Sequence, residues 1–315
     1  MKRCGALALL VILLASSAAL PATRIVIATG PGGGVFFLVG TALAQVLSQH
    51  LKDTTAVADP ATGSAHALEL ADRGEATLAF VSLATAHFGT RGEREFKRKH
   101  DNVAFVMAAM DVGQSLVALP GSGIRTFADV KDLRVAANTE SSKAQLFAAL
   151  KLYGLRERDV RFRIMNFTEQ LDALRGGTLE AGFIAISPYN RDVAAFAQGQ
   201  PIRIIGLDPA RAKAFEQQPF FTPVPLPAGT YPGQDHDLLI PASHTALLAH
   251  KQADPALIYQ ITKTIIDQGK EFAALHPGGR EFTVAKTRSF LEHRLVPMAF
   301  HSGAERYWRE AGVLK

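Results

Sequence analysis

Apolar and polar positions follow two alternating periods along most of the chain. Short, β-branched apolar runs such as RIVIAT (24–29) and TTAVA (54–58) are typical of buried strands. The stretch between them, LVGTALAQVLSQHL (38–51), repeats apolar residues every three or four positions, which predicts a helix. This order of strand, helix and strand recurs, and parallel strands need such crossover connections. The sequence therefore predicts an α/β protein with mostly parallel sheets flanked by helices.

Breaks in the alternation divide the chain into two lobes with a hinge between them. PGSG (120–123) and the proline-rich stretch QQPFFTPVPLPAGTYPGQD (217–235) interrupt the pattern. We interpret SLVALP (115–120) and SHTALLAH (243–250) as two strands that cross between the lobes. The predicted limits are 23–119 for the first part of lobe I, 120–235 for lobe II, and 236–315 for the second part of lobe I, whose C-terminal helices pack on either lobe.

The first 22 residues, MKRCGALALLVILLASSAALPA, have the layout of a secretory signal peptide. Lys2 and Arg3 precede an unbroken apolar core, and small residues follow it. The sequence thus predicts export to the periplasm; the alternative is an uncleaved segment that tethers the protein to the membrane. Removal of this segment also removes Cys4, the only cysteine, so the mature chain forms no disulfide.

Charge and histidine placement exclude several classes of partner. The net charge is only +5, and no run combines basic residues with interleaved aromatic ones, so we expect no nucleic-acid binding. The histidines are scattered without the spacing of metal ligands, and the mature chain has no cysteine to join them. We therefore predict neither a metal nor a cofactor.

The glycine-rich segment TGPGGGVFFLVG (29–40) joins the first predicted strand to the first predicted helix. A dinucleotide-binding loop needs glycine at its first, third and sixth positions; Gly30 and Gly32 fit, but Val35 occupies the sixth. Asp59 follows the second strand, where such a site has an acidic residue, yet an exported protein meets little NAD. A Walker-type phosphate loop would end in Gly-Lys-Ser/Thr, which is missing.

The same glycine-rich segment is suited to another anion. Glycines allow the backbone to approach a ligand, and the helix that follows offers free N–H groups and the positive end of its dipole. A carboxylate binds such a helix start as readily as a phosphate does. The alternative, a plain strand-to-helix turn, needs only one or two glycines.

Small polar residues recur at the carboxyl ends of other predicted strands, where ligands bind in open α/β sheets. They occur near the ends of TTAVA, ATLAFVS, RVAAN and LEAGFIAI. Each alone is an ordinary helix N-cap, but together they predict a cleft shared by two lobes. The expected ligand-binding residues are Gly33, Gly34, Val35, Phe36, Thr62, Ser64 and Ser82 in lobe I, and Asn138, Ser141, Ser142 and Tyr189 in lobe II.

The sequence lacks the motifs of common catalytic sites. It contains no Gly-x-Ser-x-Gly elbow, no HExxH motif and, once mature, no cysteine nucleophile. His244 lies in a predicted crossing strand, where a satisfied hinge or core histidine is favoured over a general base. We expect a binding protein without enzymatic activity. The alternatives are a periplasmic enzyme, or a ligand-sensing or partner-binding protein on the same fold.

Several segments together resemble one known family. In order and spacing, over nearly all of 24–313, the chain resembles the TAXI family, the extracytoplasmic solute-binding subunits of tripartite ATP-independent periplasmic (TRAP) transporters. The resemblance implies a two-lobed, type II periplasmic-binding-protein fold. It implies closure on one small, often acidic, solute and delivery to TRAP-type membrane subunits. We expect a monomer. The segments are GGGVFFLVGTALA, TGSAHALELADRGEATLAFV, TFADVKDLRVA, LRGGTLEAGFIA, AGTYPGQ and FHSGAERYWREAGV.

The chain departs from the family pattern where the site is expected. The family's Gly-Gly-Thr-Tyr-Tyr corresponds to Gly33-Gly34-Val35-Phe36-Phe37, so three hydroxyls are missing. Losing a hydrogen bond to a charged ligand group weakens binding by about 1.5–3 kcal/mol, roughly ten- to a hundredfold. We therefore expect the solute to be a carboxylate or an amino acid with an apolar part that Phe36 and Phe37 contact.

Overall fold

The computed structural model describes residues 23–315, so the expected signal peptide (1–22) lies outside the described residues. Within residues 23–315, no helix has the length and apolar character needed to cross a membrane. The strands are β1 (Thr23–Ala28), β2 (Thr54–Asp59), β3 (Leu78–Ser82), β4 (Val103–Ala108), β5 (Val112–Ala118), β6 (Arg134–Ala137), β7 (Arg161–Ile164), β8 (Ala181–Ser187), β9 (Arg203–Ile204), β10 (Phe221–Leu226), β11 (Leu238–Ser243) and β12 (Thr245–His250). The α-helices are α1 (Val35–His50), α2 (Ser64–Asp72), α3 (Leu83–Gly89), α4 (Glu140–Lys151), α5 (Phe167–Arg175), α6 (Arg191–Gly199), α7 (Pro209–Glu216), α8 (Pro255–Asp267), α9 (Gly269–Leu275), α10 (Val284–Glu292) and α11 (Ser302–Glu310).

The strands form two sheets, and each sheet with its covering helices is one lobe. Lobe I has the strand order β2-β1-β3-β12-β4. Lobe II has the order β10-β11-β5-β8-β6-β7, with β9 paired to β5. β1 runs parallel to β2 and β3, and β6 runs parallel to β7 and β8. The predicted two-lobed α/β class is confirmed, but the sheets are mixed, because β5 and β12 run antiparallel to their neighbours.

The chain passes between the lobes at residues 109–111, between β4 and β5, and at His244, between β11 and β12. SLVALP therefore lies on the lobe II side of its crossing, and most of SHTALLAH lies in lobe I. The sequence pattern predicts that both segments are crossing strands, and this prediction is wrong, because each strand belongs to one sheet only. β4 and β5 are both fully buried, so hydrophobicity does not mark where the chain changes sheet. The limits of the lobes as units stay a prediction, and these sheet assignments favour a limit near residue 110 over 119.

The proline-rich stretch contains a strand as well as loops. β10 includes Pro223 and Pro225 and lies at one end of the lobe II sheet, paired with β11. Proline has no N–H to donate, so it is tolerated in an edge strand better than in a central one. The proline-rich stretch was expected to interrupt the secondary structure, but part of it forms an edge strand.

Both faces of each sheet are packed. In β3, Leu78 and Phe80 join one core cluster and Ala79 and Val81 join another, because successive strand residues point to opposite faces. The C-terminal helices cover lobe I. Trp308 of α11 is fully buried, and its Nε1 donates to the carbonyl oxygen of Val106 at 2.7 Å.

The C-terminal segment that contributes to the family resemblance has a structural role. His301 precedes α11, and its Nδ1 accepts a hydrogen bond from the Gly303 N–H at 3.2 Å. A Cβ on Gly303 would lie 2.1 Å from the carbonyl oxygen of Pro255, so only glycine allows α11 to approach α8 this closely. This segment therefore supports the fold of lobe I.

Candidate ligand-binding cleft

A cavity of about 370 Å³ lies between the two lobes, at the carboxyl ends of the parallel strands. Lobe I contributes the glycine-rich segment after β1, the start of α2, and the end of β3. Lobe II contributes the starts of α4, α5 and α6, together with residues of β5 and β8. The walls therefore come from both sheets, at the ends where ligands bind in open α/β folds.

On the lobe I wall, α1 and α2 begin without side-chain caps. Their N-cap residues are Gly34 and Gly63, and neither has a side-chain oxygen that could accept from a helix N–H. The first N–H groups to bond within the chain are those of Leu38 and Ala67, to the carbonyl oxygens of the two glycines at 3.1 and 3.0 Å. The three preceding N–H groups of each helix find no acceptor in residues 23–315. Free N–H groups and the helix dipole make both starts suitable for an anion.

The glycines of the first loop have different roles. Gly33 has a φ of +78°, a left-handed conformation that glycine adopts without strain. A Cβ on Gly34 would lie 3.0 Å from the Pro31 carbonyl oxygen, which is tight. A Cβ on Gly32 would meet nothing within 4 Å. The loop thus needs glycine at positions 33 and 34 for its own geometry, whereas position 32 borders open space.

The two walls touch at Ser82, the last residue of β3. Its Oγ accepts a hydrogen bond from the Thr85 N–H at 3.3 Å and another from the Ser141 Oγ of lobe II at 3.0 Å. A second close approach lies nearby, since a Cβ on Gly63 would be 3.2 Å from Cγ2 of Thr139 in lobe II. The structure therefore has the lobes in contact across the cleft.

On the lobe II wall, the helix starts are capped by side chains. A capping oxygen satisfies an N–H group of the first turn, so that group is no longer free for a ligand. The capping pairs are Thr139 with the Ser142 N–H at 3.1 Å, Asn166 with the Glu169 N–H at 2.9 Å, and Asn190 with the Val193 N–H at 3.3 Å. Asn138 is engaged as well, because its Oδ1 accepts from the Ser142 Oγ at 2.7 Å. Lobe II therefore presents side chains to the cavity more than free backbone.

Tyr231 braces the segment that follows β8. Its buried hydroxyl accepts a hydrogen bond from the Asn190 N–H at 2.8 Å and donates one to the Ile186 carbonyl oxygen at 2.7 Å. Burial raises the pKa of the Tyr231 phenol well above its usual value, so the group remains a neutral donor at physiological pH. These contacts hold Asn190 in the cavity wall.

The lining combines an apolar patch with very little charge. Phe36 and Val112 lie in the lining, as do Phe167 and Ile184. Of the described residues that line the cavity, Asp192 alone has an acidic or basic side chain. A small apolar pocket with a few oriented polar groups is typical of a site for one small molecule.

The predicted ligand-binding residues mostly meet in this cavity. Gly33, Gly34, Val35, Phe36, Ser64, Ser82, Asn138, Ser141 and Ser142 line it, whereas Thr62 and Tyr189 do not. The Thr62 N–H donates to His66 Nδ1 at 3.3 Å. The Tyr189 ring stacks on Tyr231, with ring centroids 5.5 Å apart. Contact of the lining residues with a ligand stays a prediction.

The cavity also contains residues that the sequence analysis missed. Asn166 starts an Asn-x-x-Glu capping box two residues after the end of β7, so the pattern of polar residues after strands also indicates it. Asn190 and Asp192 belong to the next such helix start, for which the sequence pattern predicts Tyr189 as the ligand-binding residue. Gln114 lies within a buried strand and Gln170 within a helix, and nothing in the pattern indicates that they line a cavity.

Charged side chains join the two crossing segments outside the cavity. His244 Nδ1 donates to Asp111 Oδ1 at 2.8 Å, and Lys286 Nζ lies 2.8 Å from Asp111 Oδ2. Burial alone would raise the pKa of Asp111, but the His244 hydrogen bond and the Lys286 charge outweigh it and lower that pKa. Burial alone would lower the pKa of Lys286, yet Asp111 and Glu281 raise it. His244 is thus a satisfied hinge histidine, as predicted.

Among the described residues, two α/β lobes are connected at two crossings and together line this cavity. A model of the NMT1-like family matches residues 27–312 of the chain. The protein therefore belongs to the NMT1-like family.

Solved structures share this architecture at low sequence identity. The chain is 17% identical to the alkanesulfonate-binding protein SsuA from Xanthomonas axonopodis pv. citri bound to MOPS, over 93% of this chain and 85% of SsuA, with a TM-score of 0.55. It is 15% identical to a protein from Bordetella bronchiseptica RB50, over 93% and 99% of the two chains, with a TM-score of 0.56. It is 10% identical to a Xanthomonas citri protein bound to ATP, over 91% and 98%, with a TM-score of 0.52. The TM-scores show a shared fold, and at identities this low the likeness extends no further than the fold.

Proposed function

We propose that this protein is an extracytoplasmic solute-binding protein that captures one small molecule between its lobes. The observation that carries the proposal is that helix starts from both lobes face a single cavity. A solute bound there contacts both lobes, so it favours a closed arrangement over an open one. The contact between Ser82 and Ser141 is of the kind that a closed arrangement requires.

The solute in this proposal is a carboxylate or an amino acid with an apolar part. Its carboxylate is bound by the free N–H groups at the starts of α1 and α2, because these groups are unsatisfied and lie at the positive ends of two helix dipoles. Its apolar part packs against Phe36 and Phe167, whereas Phe37, which was also expected to contact it, does not line the cavity. The proposed contacts are Gly33, Gly34, Val35, Phe36, Ser64 and Ser82 in lobe I and Asn138, Ser141 and Ser142 in lobe II.

We further propose that the protein acts as a monomeric TAXI-type subunit in the periplasm and delivers its solute to a TRAP-type membrane transporter. The sequence resemblance over most of the chain supports this assignment. A secondary transporter is driven by an ion gradient, so dissipating the gradient should stop solute uptake by intact cells. Uptake that persists without the gradient and stops on depletion of ATP would contradict delivery to a TRAP-type transporter. That result would not contradict the proposal that the protein binds a solute.

The proposal includes no chemical step on the solute. General acid–base catalysis needs titratable groups within reach of the reacting atoms, and nucleophilic catalysis needs a nucleophile activated by a base. Among the described residues of the lining, Asp192 has no second ionisable side chain beside it. This composition favours binding over catalysis.

A thermal-shift screen of the mature protein tests the proposed function. The panel contains carboxylates, amino acids and aromatic acids, each at high concentration. A solute at a hundred times its dissociation constant should add about 2.7 kcal/mol to the free energy of unfolding. If no member stabilises the protein while a hydrolase substrate is turned over, the binding-protein proposal fails. Stabilisation followed by recovery of the unchanged solute would support it.

A further inference from the structure

We infer that Phe220 is a latch between the lobes. In the closed arrangement its ring packs on lobe I and its backbone is held in a left-handed conformation, and this contact keeps a fraction of the protein closed before a solute binds. Phe220 lies between α7 and β10, in a segment of lobe II. The inference goes beyond the proposed function, because it concerns the balance between open and closed protein whichever solute is bound.

The backbone of Phe220 has a conformation that aromatic residues rarely adopt. Its φ is +74°, in the left-handed region, where a bulky side chain crowds the backbone. Such a conformation persists only where the surrounding structure enforces it, and strained residues of this kind are concentrated at functional and switching sites. The neighbours that enforce it at Phe220 belong to both lobes.

Phe220 and Phe221 are consecutive residues that pack on different lobes. The Phe220 ring packs against a core cluster of lobe I, with its centroid 4.9 Å from that of His87 and 6.1 Å from that of Phe88, both in α3. The Phe221 ring stacks on Phe215 of α7 within lobe II, with centroids 5.4 Å apart. The start of β10 is therefore attached to both lobes by successive side chains.

Backbone hydrogen bonds place this contact at one of the two crossings. The His244 N–H donates to the Phe220 carbonyl oxygen at 3.0 Å, and the Leu83 N–H at the start of α3 donates to the His244 carbonyl oxygen at 2.9 Å. The Phe220 ring contacts α3 more than one turn beyond Leu83, at His87 and Phe88. Rotation of the lobes about His244 therefore moves the ring relative to these two residues.

The helix that Phe220 contacts also reaches the cleft. Ser82 caps the start of α3, lines the cavity and accepts the hydrogen bond from Ser141 of lobe II. His87 lies in the last turn of the same helix, against Phe220. Because α3 contacts lobe II at the cleft and at the hinge, packing of Phe220 on α3 favours the same arrangement of the lobes as contact across the cleft.

The His87 ring offers Phe220 an uncharged surface. Arg91 Nη1 donates to His87 Nδ1 at 2.9 Å. Burial lowers the pKa of His87, and the positive charge of Arg91 lowers it further. The imidazole is therefore neutral at neutral pH, so its packing against the Phe220 ring requires no desolvation of a charge.

Spin-label distance measurements on the mature protein without solute test the inference. Residues 23–315 contain no cysteine, so Thr62→Cys and Asp172→Cys, at exposed positions of lobes I and II, attach the two labels specifically. The distances should include the short distance of the closed arrangement. A long distance alone would overturn the inference, because no molecules would then be latched closed.

In this labelled protein, Phe220→Ala should lower the ratio of closed to open molecules about fivefold, the effect of losing an aromatic contact. His87→Ala should lower it as well, and the double variant should lower it less than the two single effects combined, because both substitutions remove one contact. Phe162→Ala is the matched control, since that half-buried ring packs within lobe II alone. An unchanged ratio in Phe220→Ala would overturn the latch.

Phe220→Gly separates the role of the ring from that of the backbone. Glycine adopts a positive φ without strain and alanine does not, so both variants lose the ring but only the alanine variant keeps the strain. The glycine variant should therefore have a higher ratio of closed to open molecules than the alanine variant. Equal ratios would overturn the link between the left-handed backbone and closure. No solute is present, so neither failure contradicts the proposed function.

Discussion

The two walls of the cleft are built from the same element, a helix that begins where a parallel strand ends, yet they present different chemistry. On lobe I the N-cap residues are Gly34 and Gly63, and the first turns of α1 and α2 keep free N–H groups. On lobe II the N-caps are Thr139, Asn166 and Asn190, whose side chains each satisfy at least one N–H group of the first turn. The lobe I wall therefore offers more free backbone donors, and the lobe II wall offers more side chains.

Because of this difference, we expect substitutions on the two walls to affect different properties, namely solute affinity on one wall and protein stability on the other. A glycine N-cap contributes no side-chain hydrogen bond, so replacing it alters the space and the donors available to a ligand. A threonine or asparagine N-cap stabilises its helix, so replacing it costs folding free energy first. We expect substitutions on lobe I to change solute affinity most, and substitutions on lobe II to change protein stability most. The following variants test that expectation.

Asp111 contacts His244 and Lys286 where the chain crosses between the lobes, and its replacement should have the largest effect on stability. Asp111→Asn removes the carboxylate that both His244 and Lys286 contact, which leaves the largely buried Lys286 with one partner fewer. We expect the free energy of unfolding to fall by about 3 kcal/mol, measured by urea denaturation at neutral pH. Asp172→Asn is the control, because its ion pair with Arg175 is exposed and contributes about 0–1 kcal/mol.

The same variant predicts a pH dependence. The pKa of Asp111 is lowered by folding, so its stabilising contribution is complete above the ordinary value of 3.8 and is lost as the pH falls through the lower folded value. The stability difference between the wild type and Asp111→Asn should therefore shrink below about pH 4. If this stability difference stays constant down to strongly acid pH, the charge of Asp111 is not what stabilises the protein at the crossings.

Gly34→Val should have the largest effect on solute binding. The new side chain occupies space beside the first turn of α1, where the donors of lobe I lie. We expect affinity for the best solute of the thermal-shift panel to fall ten- to a hundredfold, about 1.5–3 kcal/mol, by calorimetric titration. Gly121→Val is the matched control, since a Cβ there meets nothing within 4 Å and the residue does not line the cavity. Equal affinities in the two variants would mean that the loop is only a turn.

Asn166→Ala should affect stability before affinity. It removes the capping oxygen at the start of α5, so the free energy of unfolding should fall by about 1 kcal/mol. Asn166→Asp is the control, because aspartate retains an oxygen that can cap the helix. Thermal denaturation of both variants without solute provides the measurement. If the alanine variant is as stable as the aspartate variant, the cap does not stabilise lobe II, and the contrast between the walls weakens.

The smallest expected effect concerns the contact between the lobes. Ser141→Ala removes the hydrogen bond to Ser82, and a net effect of about 0.5–1 kcal/mol on solute affinity is expected if that bond forms only on closure. Ser82 also caps α3, so a double-mutant cycle with Ser82→Ala is needed to isolate the pair. Additive effects on affinity would indicate that the two hydroxyls do not cooperate in closure.

The hydrophobic pattern predicted most elements and the α/β class, because strand and helix periods differ strongly. The hydrophobic pattern did not indicate where the chain crosses between the lobes. The residues on either side of 109–111 are equally buried, so the sequence contains no change of pattern where the chain leaves one sheet for the other. It also did not predict the mixed sheets, since the direction of β5 and β12 follows from where those crossings lie.

For the site, the rule of polar residues after strands identified most of the lining. It misplaced Tyr189 because position along a chain does not give the direction of a side chain, and here the ring stacks on Tyr231. Gln114 was missed for a related reason. The sequence alone does not show that a polar residue in a buried strand has an atom without a hydrogen-bond partner, as the Gln114 Oε1 has in the structure.

One solute should bridge the two walls of the cleft, and a crystal structure with the most stabilising solute tests this most directly. We predict a carboxylate oxygen within about 3 Å of N–H groups in the first turn of α1 or α2. The same unaltered molecule should also contact side chains of lobe II. A solute bound outside the cavity, or touching one lobe alone, would show that no solute bridges the walls.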